Sequence, residues 1–361
     1  MVKALIAGGG VAGPVTAMAL QHAGIDAQVY EAHLPGTGDA GSYLTVATNG
    51  LDALRAVGAD KPVLAAGFPT PTNVLLSGTG RRLGSVSNGG RLTDGTVSHT
   101  VKRSRLYQAL HEEAASRGIR IEYGKRLAGA EPTAGGVVAT FDDGSRASGD
   151  LLIGADGVHS PTRRLIDPAA PSPRYVGLVN FGGYTPGSAG SAEPGAWHMI
   201  FGRRAFFGYV ADPAGGTVWF ANVPRLPVTP AERAATTAEQ WQRQLVELFA
   251  GDAAHAPSPT SGQGASLAAE DAVVLAKCLR GLPDIPEALA TYEGLRRKRV
   301  ERIVAQAART SSAKTPGPLG RILRDLTLPL VFKLLVTDRS MAWIYDHHID
   351  WDAPLVATNS S

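Results

Sequence analysis

The sequence of 361 residues has a single cysteine, Cys278, which excludes disulfides within the chain and metal clusters held by cysteines. It also lacks a strong charge, because the formal net charge is only +3, and this gives no reason to expect nucleic acid or an anionic membrane as a partner. Long apolar runs are missing too. The most apolar stretch, residues 326–336, is interrupted by Pro329 and Lys333, so we expect no integral membrane segment. These absences fit a cytoplasmic protein, either a monomer or a homodimer.

Two charged clusters resemble binding sites, but their residues are not spaced as the residues of a binding site would be. The basic run Arg296–Arg299 lies in a helical pattern beside Glu293 and Glu301, and we expect it to form a solvated helix face. Near the end of the sequence, the adjacent His347 and His348 would point in different directions on a helix or a strand. We therefore predict no metal site in that region.

The beginning of the sequence predicts a β-α-β unit. Val2–Ala7 is an apolar run suited to a buried parallel strand, and it ends in three consecutive glycines. Val11–Ala23 has helical spacing, and Gly24 is placed to end that helix. Asp26–Glu31 is predicted to be the second strand.

The turn of this unit has the glycine pattern of a dinucleotide site. Gly8 and Gly10 allow the backbone to approach a pyrophosphate, and Gly13 allows close packing of helix on strand. The following helix begins at Val11 and Ala12, where unpaired N–H groups and the helix dipole favour an anion. Glu31, at the end of the second strand, is expected to bind an adenosine ribose. A second glycine pattern, residues 78–84, has no helix after it and predicts a hairpin turn.

The middle of the chain changes from helices to strands. Residues 150–157 form another apolar strand that runs into a turn, whereas residues 172–223 read as antiparallel strands joined by glycine turns. After Pro230 the pattern is mainly helical to about Ser312, and a further helical segment follows from Leu319. The predicted fold class is α/β: a Rossmann-like cofactor domain with an inserted, mostly antiparallel β-sheet domain and C-terminal helices.

Four motifs, in the expected order, resemble one family. They are GGGVAGPVTAMALQHAGIDAQVYE at the start, RSRLYQAL from Arg103, DLLIGADGVHSPTRR from Asp150 and GDAAHAPSPTSGQGASLAAEDA from Gly251. The chain resembles the FAD-dependent aromatic hydroxylases, which are single-component flavoprotein monooxygenases of the p-hydroxybenzoate hydroxylase fold. This resemblance implies that FAD is the cofactor and that NAD(P)H is a transient co-substrate.

The resemblance also implies roles for residues outside the glycine turn. Arg103 is expected to contact FAD, Asp156 belongs to the Asp-Gly motif, and Asp252 is expected to hold the ribityl chain. The loop and helix start after Asp252 would run close to the flavin ring through four further residues, Pro259, Gly262, Gly264 and Ala265. We expect His255 to bond to backbone rather than act as a base, and we name no catalytic acid or base.

The same resemblance implies the domain limits. Residues 1–70, 95–170 and 251–312 would form the discontinuous FAD-binding domain. Residues 71–94 and 171–250 would form the substrate domain, and residues 313–361 a C-terminal helical tail.

Family chemistry gives the expected reaction. NAD(P)H reduces the flavin, O2 adds at C4a, and the resulting hydroperoxide hydroxylates an aromatic, polyketide-like or other electron-rich small molecule. Two alternatives stay open at this point. One is a flavin oxidoreductase of the same fold without oxygen insertion, and the other is a catalytically impaired remnant.

The second alternative arises just before the Gly-Asp motif. In members of the family, an apolar strand leads directly into the Gly-Asp motif. In this chain the residues before Gly251-Asp252 have a helical pattern instead, because Trp241, Leu245 and Leu248 share one helical face up to Ala250. We therefore hypothesise an internal deletion that removed this strand. In the contrary interpretation, Val246–Ala250 itself forms the strand.

Overall fold

A computed structural model describes residues 2–35, 42–187, 192–202, 204–250, 263–312 and 338–355. Three of the expected cofactor residues, Asp252, Pro259 and Gly262, lie outside these ranges, as does His255.

The described strands, in chain order, are β1 (Lys3–Ala7), β2 (Asp26–Glu31), β3 (Tyr43–Val46), β4 (Gly67–Pro69), β5 (Thr72–Ser77), β6 (Arg82–Ser87), β7 (His99–Lys102), β8 (Ile121–Tyr123), β9 (Leu127–Thr133), β10 (Gly136–Phe141), β11 (Arg146–Gly149), β12 (Leu151–Gly154), β13 (Leu178–Pro186), β14 (Ala196–Phe201), β15 (Phe206–Asp212) and β16 (Gly216–Pro224).

The described helices are α1 (Ala12–His22), α2 (Thr48–Ala56), α3 (Asp60–Ala65), α4 (Arg103–Ser116), α5 (Pro161–Ile166), α6 (Pro230–Ala235), α7 (Ala238–Ala250), α8 (Gly264–Gly281), α9 (Ile285–Ser312) and α10 (Asp338–Tyr345).

A parallel sheet in the order β12-β1-β2-β8 forms the centre of the cofactor region. The predicted β-α-β unit is present, since β1 pairs in parallel with β2 and α1 lies between them in the chain. β1 is apolar because it is buried, as Leu5 and Ile6 are inaccessible to solvent. Helices α1, α2, α4 and α8 contribute apolar side chains to the same core.

The second large sheet has six strands in the order β13-β16-β15-β14-β5-β6. It joins the strands predicted over residues 172–223 to β5 and β6, the hairpin predicted at the second glycine pattern. β14 and β5 pair in parallel, whereas the other neighbours are antiparallel. Smaller sheets, β11-β10-β9 and β3-β7-β4, complete the described strands. The predicted fold class is thus confirmed.

Helix α7 covers one face of the six-stranded sheet. Its Trp241 ring lies 5.3 Å from the Phe181 ring on β13, and Leu245 is buried in a cluster with Ala221 and Val223 of β16. This packing explains why Trp241 and Leu245 share one apolar face of the helix.

The contrary interpretation of residues 246–250 as a strand is wrong. Helix α7 includes them and ends at Ala250, directly before Gly251. Among the described residues, β12 is an outer strand of the parallel sheet, with β1 as its partner.

Helix α8 has ten buried residues and carries the single cysteine. It lies against α1, α2 and α9. Cys278 is inaccessible to solvent, and burial raises the pKa of its thiol to about 11.

The expectation of a solvated face at Arg296–Arg299 is wrong for two of its residues. Arg296 is 3% exposed and bonds Asp271 and Glu270 of α8 at 2.6 Å and 2.8 Å. Arg299 also faces α8, because residues three apart share one side of a helix. Arg297 and Lys298 are exposed as expected, and Arg297 forms ion pairs with its helix neighbours Glu293 and Glu301.

The last described residues dock on the cofactor region. After α10 the chain crosses α8 and α1, where Arg280 Nη2 donates to the Trp351 carbonyl at 2.5 Å and the His22 ring lies 4.8 Å from the Trp351 ring. His348 Nδ1 lies 2.8 Å from Asp52 Oδ2 of α2. No helix within the described ranges is long and apolar enough to cross a membrane.

Burial of His198 on β14 predicts an acid-sensitive sheet. The ring is 6% exposed, stacks on Tyr209 with centroids 4.8 Å apart, and has its pKa lowered by burial. A His with a lowered folded pKa contributes stability above its ordinary pKa near 6.5, and that stability is lost as pH falls through the folded value. We expect His198→Phe to reduce the fall in unfolding free energy between about pH 8 and about pH 5.5, as measured by urea denaturation. The exposed control His33→Gln should keep the full fall, and an equal fall in all three proteins would contradict this account.

Candidate functional site

The glycine turn after β1 is too tight for side chains at Gly8, Gly9 and Gly13, and at Gly8 and Gly13 the obstacle is backbone. Gly8 has φ +110°, and a Cβ there would lie 2.4 Å from the Ala155 carbonyl oxygen. A Cβ on Gly13 would lie 1.9 Å from the Gly8 carbonyl oxygen, so α1 packs directly on the turn. At Gly10 a Cβ would meet only the Tyr107 hydroxyl, at 3.9 Å. The turn is therefore closed toward the protein and open at Gly10, as a phosphate cradle requires.

Glu31 is fixed beside this turn by backbone donors. Its Oε2 accepts from Gly9 N at 2.5 Å, and its Oε1 accepts from His33 N at 2.8 Å. Each carboxylate oxygen can accept more than one hydrogen bond, so the oxygens keep capacity for ribose hydroxyls. Sequence spacing alone placed Glu31 near the turn; the bond to Gly9 shows that it also orders the turn.

A histidine that the sequence did not single out holds the other side of the turn. His111 Nε2 donates to the Gly9 carbonyl oxygen at 2.5 Å, which leaves Nδ1 to accept from the Tyr123 hydroxyl at 2.8 Å. Burial, followed by the charge of Glu31, raises the pKa of Tyr123, so the phenol keeps its proton to donate. Helical spacing could have identified His111 from the sequence. Arg103, Tyr107 and His111 follow one another at intervals of four residues on α4 and so share one side of the helix.

Arg103 begins α4 and stands at the open side of the turn. Its Nε donates to the Tyr107 hydroxyl at 2.7 Å, and its guanidinium carbon lies 5.2 Å from the centre of that ring. The same hydroxyl is the nearest atom to the space over Gly10. Arg103 is exposed, and through the Tyr107 hydroxyl its guanidinium lies close to the space over Gly10.

Asp156 lies against the glycine turn from the end of β12. Its backbone N would be 2.8 Å from a Cβ on Gly8. One carboxylate oxygen, Oδ2, accepts from the backbone N and the hydroxyl of Thr162 at 3.0 Å and 2.6 Å. The other oxygen, Oδ1, is buried and has no hydrogen-bond partner among the described residues. A buried acceptor without a partner is costly, which is the condition for binding a donor from a ligand.

The start of α8 has no side-chain cap from Gln263, the described residue before it. Gln263 precedes the helix, Gly264 is exposed, and Ala265 is partly exposed on the first turn. No acidic residue stands in that turn, so the positive end of the helix dipole is not neutralised locally. Ser266 Oγ accepts from Ala47 N at 3.1 Å and thereby holds the helix against the chain before α2.

These residues fit FAD. The turn at Gly8–Gly13 leaves space only toward Gly10, Glu31 keeps acceptor capacity beside it, and Asp156 presents an oxygen that needs a donor. A dinucleotide carries phosphates that fit the glycine turn, and hydroxyl groups that can donate to Glu31 and Asp156. No group of three or more metal-ligating side chains was found among the described residues.

The six-stranded sheet faces the cofactor region with an aromatic surface. Trp197 Nε1 donates to Thr100 Oγ1 of β7 at 2.9 Å, and Tyr43 and Phe68 pack on the cluster around Trp197. Asn73 pairs with Trp197 across the strands and Asn222 pairs with Phe206, so both amides point to this face. The Oδ1 atoms of Asn73 and Asn222 are buried, and neither has a hydrogen-bond partner in the part of the chain that the structure describes.

Known sequences match most of the chain. The sequence profile described as an FAD binding domain matches residues 1–201 and 218–307. Aurachin C monooxygenase/isomerase of Stigmatella aurantiaca is 31% identical over 340 residues, which cover 84% of this chain and 88% of that protein. The FAD-dependent urate hydroxylase of Klebsiella pneumoniae is 30% identical over 352 residues, covering 85% and 88%. The chain belongs to this family of FAD-dependent monooxygenases.

Solved structures of the family have the same fold. HpxO of Klebsiella pneumoniae complexed with FAD and uric acid superposes with a TM-score of 0.82 at 25% identity, over 95% of this chain and 97% of that one. A salicylate hydroxylase substrate complex gives 0.72 at 20% identity, over 96% and 95%, which shows a common fold. The resemblance inferred from the motifs is confirmed, and FAD is the cofactor. The family acts on aromatic or heterocyclic compounds, so an oxidoreductase without oxygen insertion is not favoured.

Two alanine substitutions separate the fold role of the turn from its ligand role. We expect Gly13→Ala to lower the unfolding free energy by roughly 2 kcal/mol or more, because its Cβ would overlap a backbone oxygen. Gly10→Ala should change the stability of FAD-free protein by less than about 0.5 kcal/mol, since a Cβ there meets no close atom. The same Gly10 change should weaken FAD binding by roughly tenfold, or about 1.4 kcal/mol. Calorimetry and flavin titration measure both, and unchanged FAD affinity in Gly10→Ala would contradict the cradle.

Proposed function

We propose that this chain uses NAD(P)H and O2 to hydroxylate an aromatic, polyketide-like or other electron-rich small molecule. The observation that carries the proposal is the convergence of the closed glycine turn, Glu31 and the unpartnered Asp156 oxygen at one edge of the parallel sheet. FAD, when bound, supplies the electron transfer and the oxygen chemistry, and the protein supplies binding and orientation.

Each described residue has a role that its geometry supports. Gly8, Gly10 and Gly13 would admit the pyrophosphate to the start of α1, where Val11 and Ala12 provide backbone donors. Glu31 would accept from a ribose hydroxyl, Arg103 would face the anionic part of the cofactor, and Asp156 would accept a hydroxyl donor.

The start of α8 would stabilise negative charge on the bound ring. Gly264 and Ala265 give unpaired N–H groups at the positive end of an 18-residue helix. Asp252, Pro259 and Gly262 belong to the same proposal through the Gly-Asp motif alone.

The substrate would bind at the aromatic face of the six-stranded sheet. The unpartnered oxygens of Asn73 and Asn222 would accept hydrogen bonds from substrate O–H or N–H groups. Trp197 and Phe220, whose ring centroids are 5.3 Å apart, give this face an apolar surface for a flat molecule. This arrangement agrees with the domain limits proposed above, in which residues 71–94 and 171–250 bind the substrate. We name no catalytic acid or base, and the proposed assembly is a monomer or a homodimer.

The reaction is tested on purified protein. We expect bound flavin with its visible absorbance, NAD(P)H oxidation that rises when an accepted aromatic compound is added, and one atom of ¹⁸O from ¹⁸O2 in the product by mass spectrometry. Stimulated NAD(P)H oxidation without ¹⁸O in product would instead support the oxidoreductase alternative. Comparing NADH with NADPH in the same assay identifies the electron donor.

We also propose that the chain has lost the strand that precedes Gly251-Asp252 in its family. Helix α7 runs to Ala250, and β12 is an outer strand of the described parallel sheet. Beside β12, the apolar side chains of Val158 and Ile166 are 64% and 78% exposed, as expected for a surface that has lost its cover.

Alignment lengths support the same proposal. The alignment with the urate hydroxylase has 352 positions but includes only 85% of the 361 residues of this chain. Some positions of the alignment therefore hold a residue of the relative and none of this chain. The relative therefore carries residues without a counterpart here. The aurachin C monooxygenase alignment, 340 residues over 84% of the chain, has the same property.

A graft tests the lost strand. We expect insertion of the urate hydroxylase segment between Ala250 and Gly251 to raise the melting temperature by roughly 5 °C or more, because a buried central strand returns. FAD affinity should rise with it. A Gly/Ser insert of equal length is the control, and a graft no better than this control would show that no strand is missing.

A further inference from the structure

A chain of buried hydrogen bonds starts at the residue that precedes α8. Gln263 Oε1 accepts from Asn49 Nδ2 at 3.0 Å, and the same nitrogen donates to Glu270 Oε1 at 2.6 Å. Asn49 and Glu270 are 0% exposed, and Gln263 is 4% exposed. The start of α8 is therefore tied, through α2, to a carboxylate about two turns further along the same helix.

Arg299 of α9 holds that carboxylate with a fork of donors. Its Nε donates to Glu270 Oε2 at 2.8 Å and its Nη2 to Oε1 at 2.7 Å, which is the bidentate geometry specific to arginine. Burial opposes ionisation of Glu270, but the Arg299 hydrogen bonds and the charge of Arg296 keep its pKa below the usual range. The carboxylate is thus a fixed, charged anchor in the core.

The other side of the Arg299 fork binds the tail of the chain. Its Nη1 donates to the Trp343 carbonyl at 2.6 Å, and its Nη2 donates to the Ile344 carbonyl at 2.8 Å. The neighbouring Arg302 guanidinium lies 3.9 Å from the centre of the Trp343 ring. One arginine therefore joins α8 to α10.

Tyr345 closes the ring. Its phenol and the Gln263 side chain interact electrostatically: burial raises the pKa of the phenol more than Gln263 lowers it, so the hydroxyl keeps its proton. The backbone of Tyr345 accepts from Thr48 Oγ1 at 3.2 Å. Gly89 gives room for this contact, because a Cβ there would lie 3.1 Å from the Tyr345 ring.

We propose that Gln263, Asn49, Glu270, Arg299 and Tyr345 form a closed positioning ring through which the C-terminal tail fixes the first turn of α8. Its members are positioning residues, since they act through the helix start and none is placed on the cofactor. The consequence for the cofactor rests on the role of α8 proposed above. A tail that stabilises the helix start strengthens FAD binding, and by linkage bound FAD stabilises the docked tail.

Two arginines on α9 provide a matched test. Arg299→Lys keeps the charge but loses the bidentate fork, whereas Arg297→Lys makes the same change at an exposed position. The first readout is hydrogen exchange of FAD-free protein at the Leu267 amide, which donates to the Gln263 carbonyl at 2.8 Å. We expect Arg299→Lys to speed exchange there by roughly tenfold or more, with little change over the second half of α8. Arg297→Lys should match the wild type.

The second readout is the FAD dissociation constant. We expect it to rise by roughly tenfold in both Arg299→Lys and Tyr345→Phe, and to stay unchanged in Arg297→Lys. Tyr345→Phe removes one hydroxyl and keeps the aromatic side chain. It therefore tests whether Tyr345 closes the positioning ring, even if Arg299→Lys folds poorly.

The outcomes separate the ring from the proposed function. Faster exchange spread equally over both halves of α8, or local exchange with unchanged FAD affinity, would overturn the ring. If wild-type protein binds no FAD under any condition, the proposed function fails, and the exchange readout alone then decides whether the tail fixes the helix start. Protection of residues 338–355 from protease by FAD would support the linkage.

Discussion

The contact between Gly13 and the Gly8 carbonyl oxygen is the constraint on which the cofactor end of the molecule depends. A side chain at either position would overlap backbone, so α1 can pack on β1 only because both residues are glycine. That packing brings the start of α1, the end of β2 with Glu31 and the end of β12 with Asp156 to one edge of the parallel sheet. His111 then reaches the turn from α4 and holds Gly9 in place.

Helix α8 connects this edge to the rest of the protein. Its first turn faces the region assigned to the cofactor, its middle packs in the main core, and its charged residues bind α9. A buried carboxylate such as Glu270 is tolerated only with partners for its charge, and Arg296 and Arg299 supply them. The same helix thus joins the proposed cofactor contacts to the cohesion between helices, so a change in its packing is expected to reach the proposed site.

Local patterns predicted the β-α-β unit, the hairpin at residues 78–84 and the antiparallel strands, because each follows from spacing within a short window. They failed where partners are distant in sequence. Arg296 and Arg299 looked solvated since their carboxylate partners lie on another helix, and His111 was missed because its bond to Gly9 spans about a hundred residues. The Asn73 and Asn222 amides likewise gain meaning only once the sheet places them on one face.

The single thiol, Cys278, lies in the second half of α8, the helix whose start is proposed to face the flavin. Peroxide attacks thiolates, and a pKa of about 11 together with complete burial leaves almost no thiolate at neutral pH. The single cysteine therefore offers almost no accessible thiolate for such an oxidant to attack.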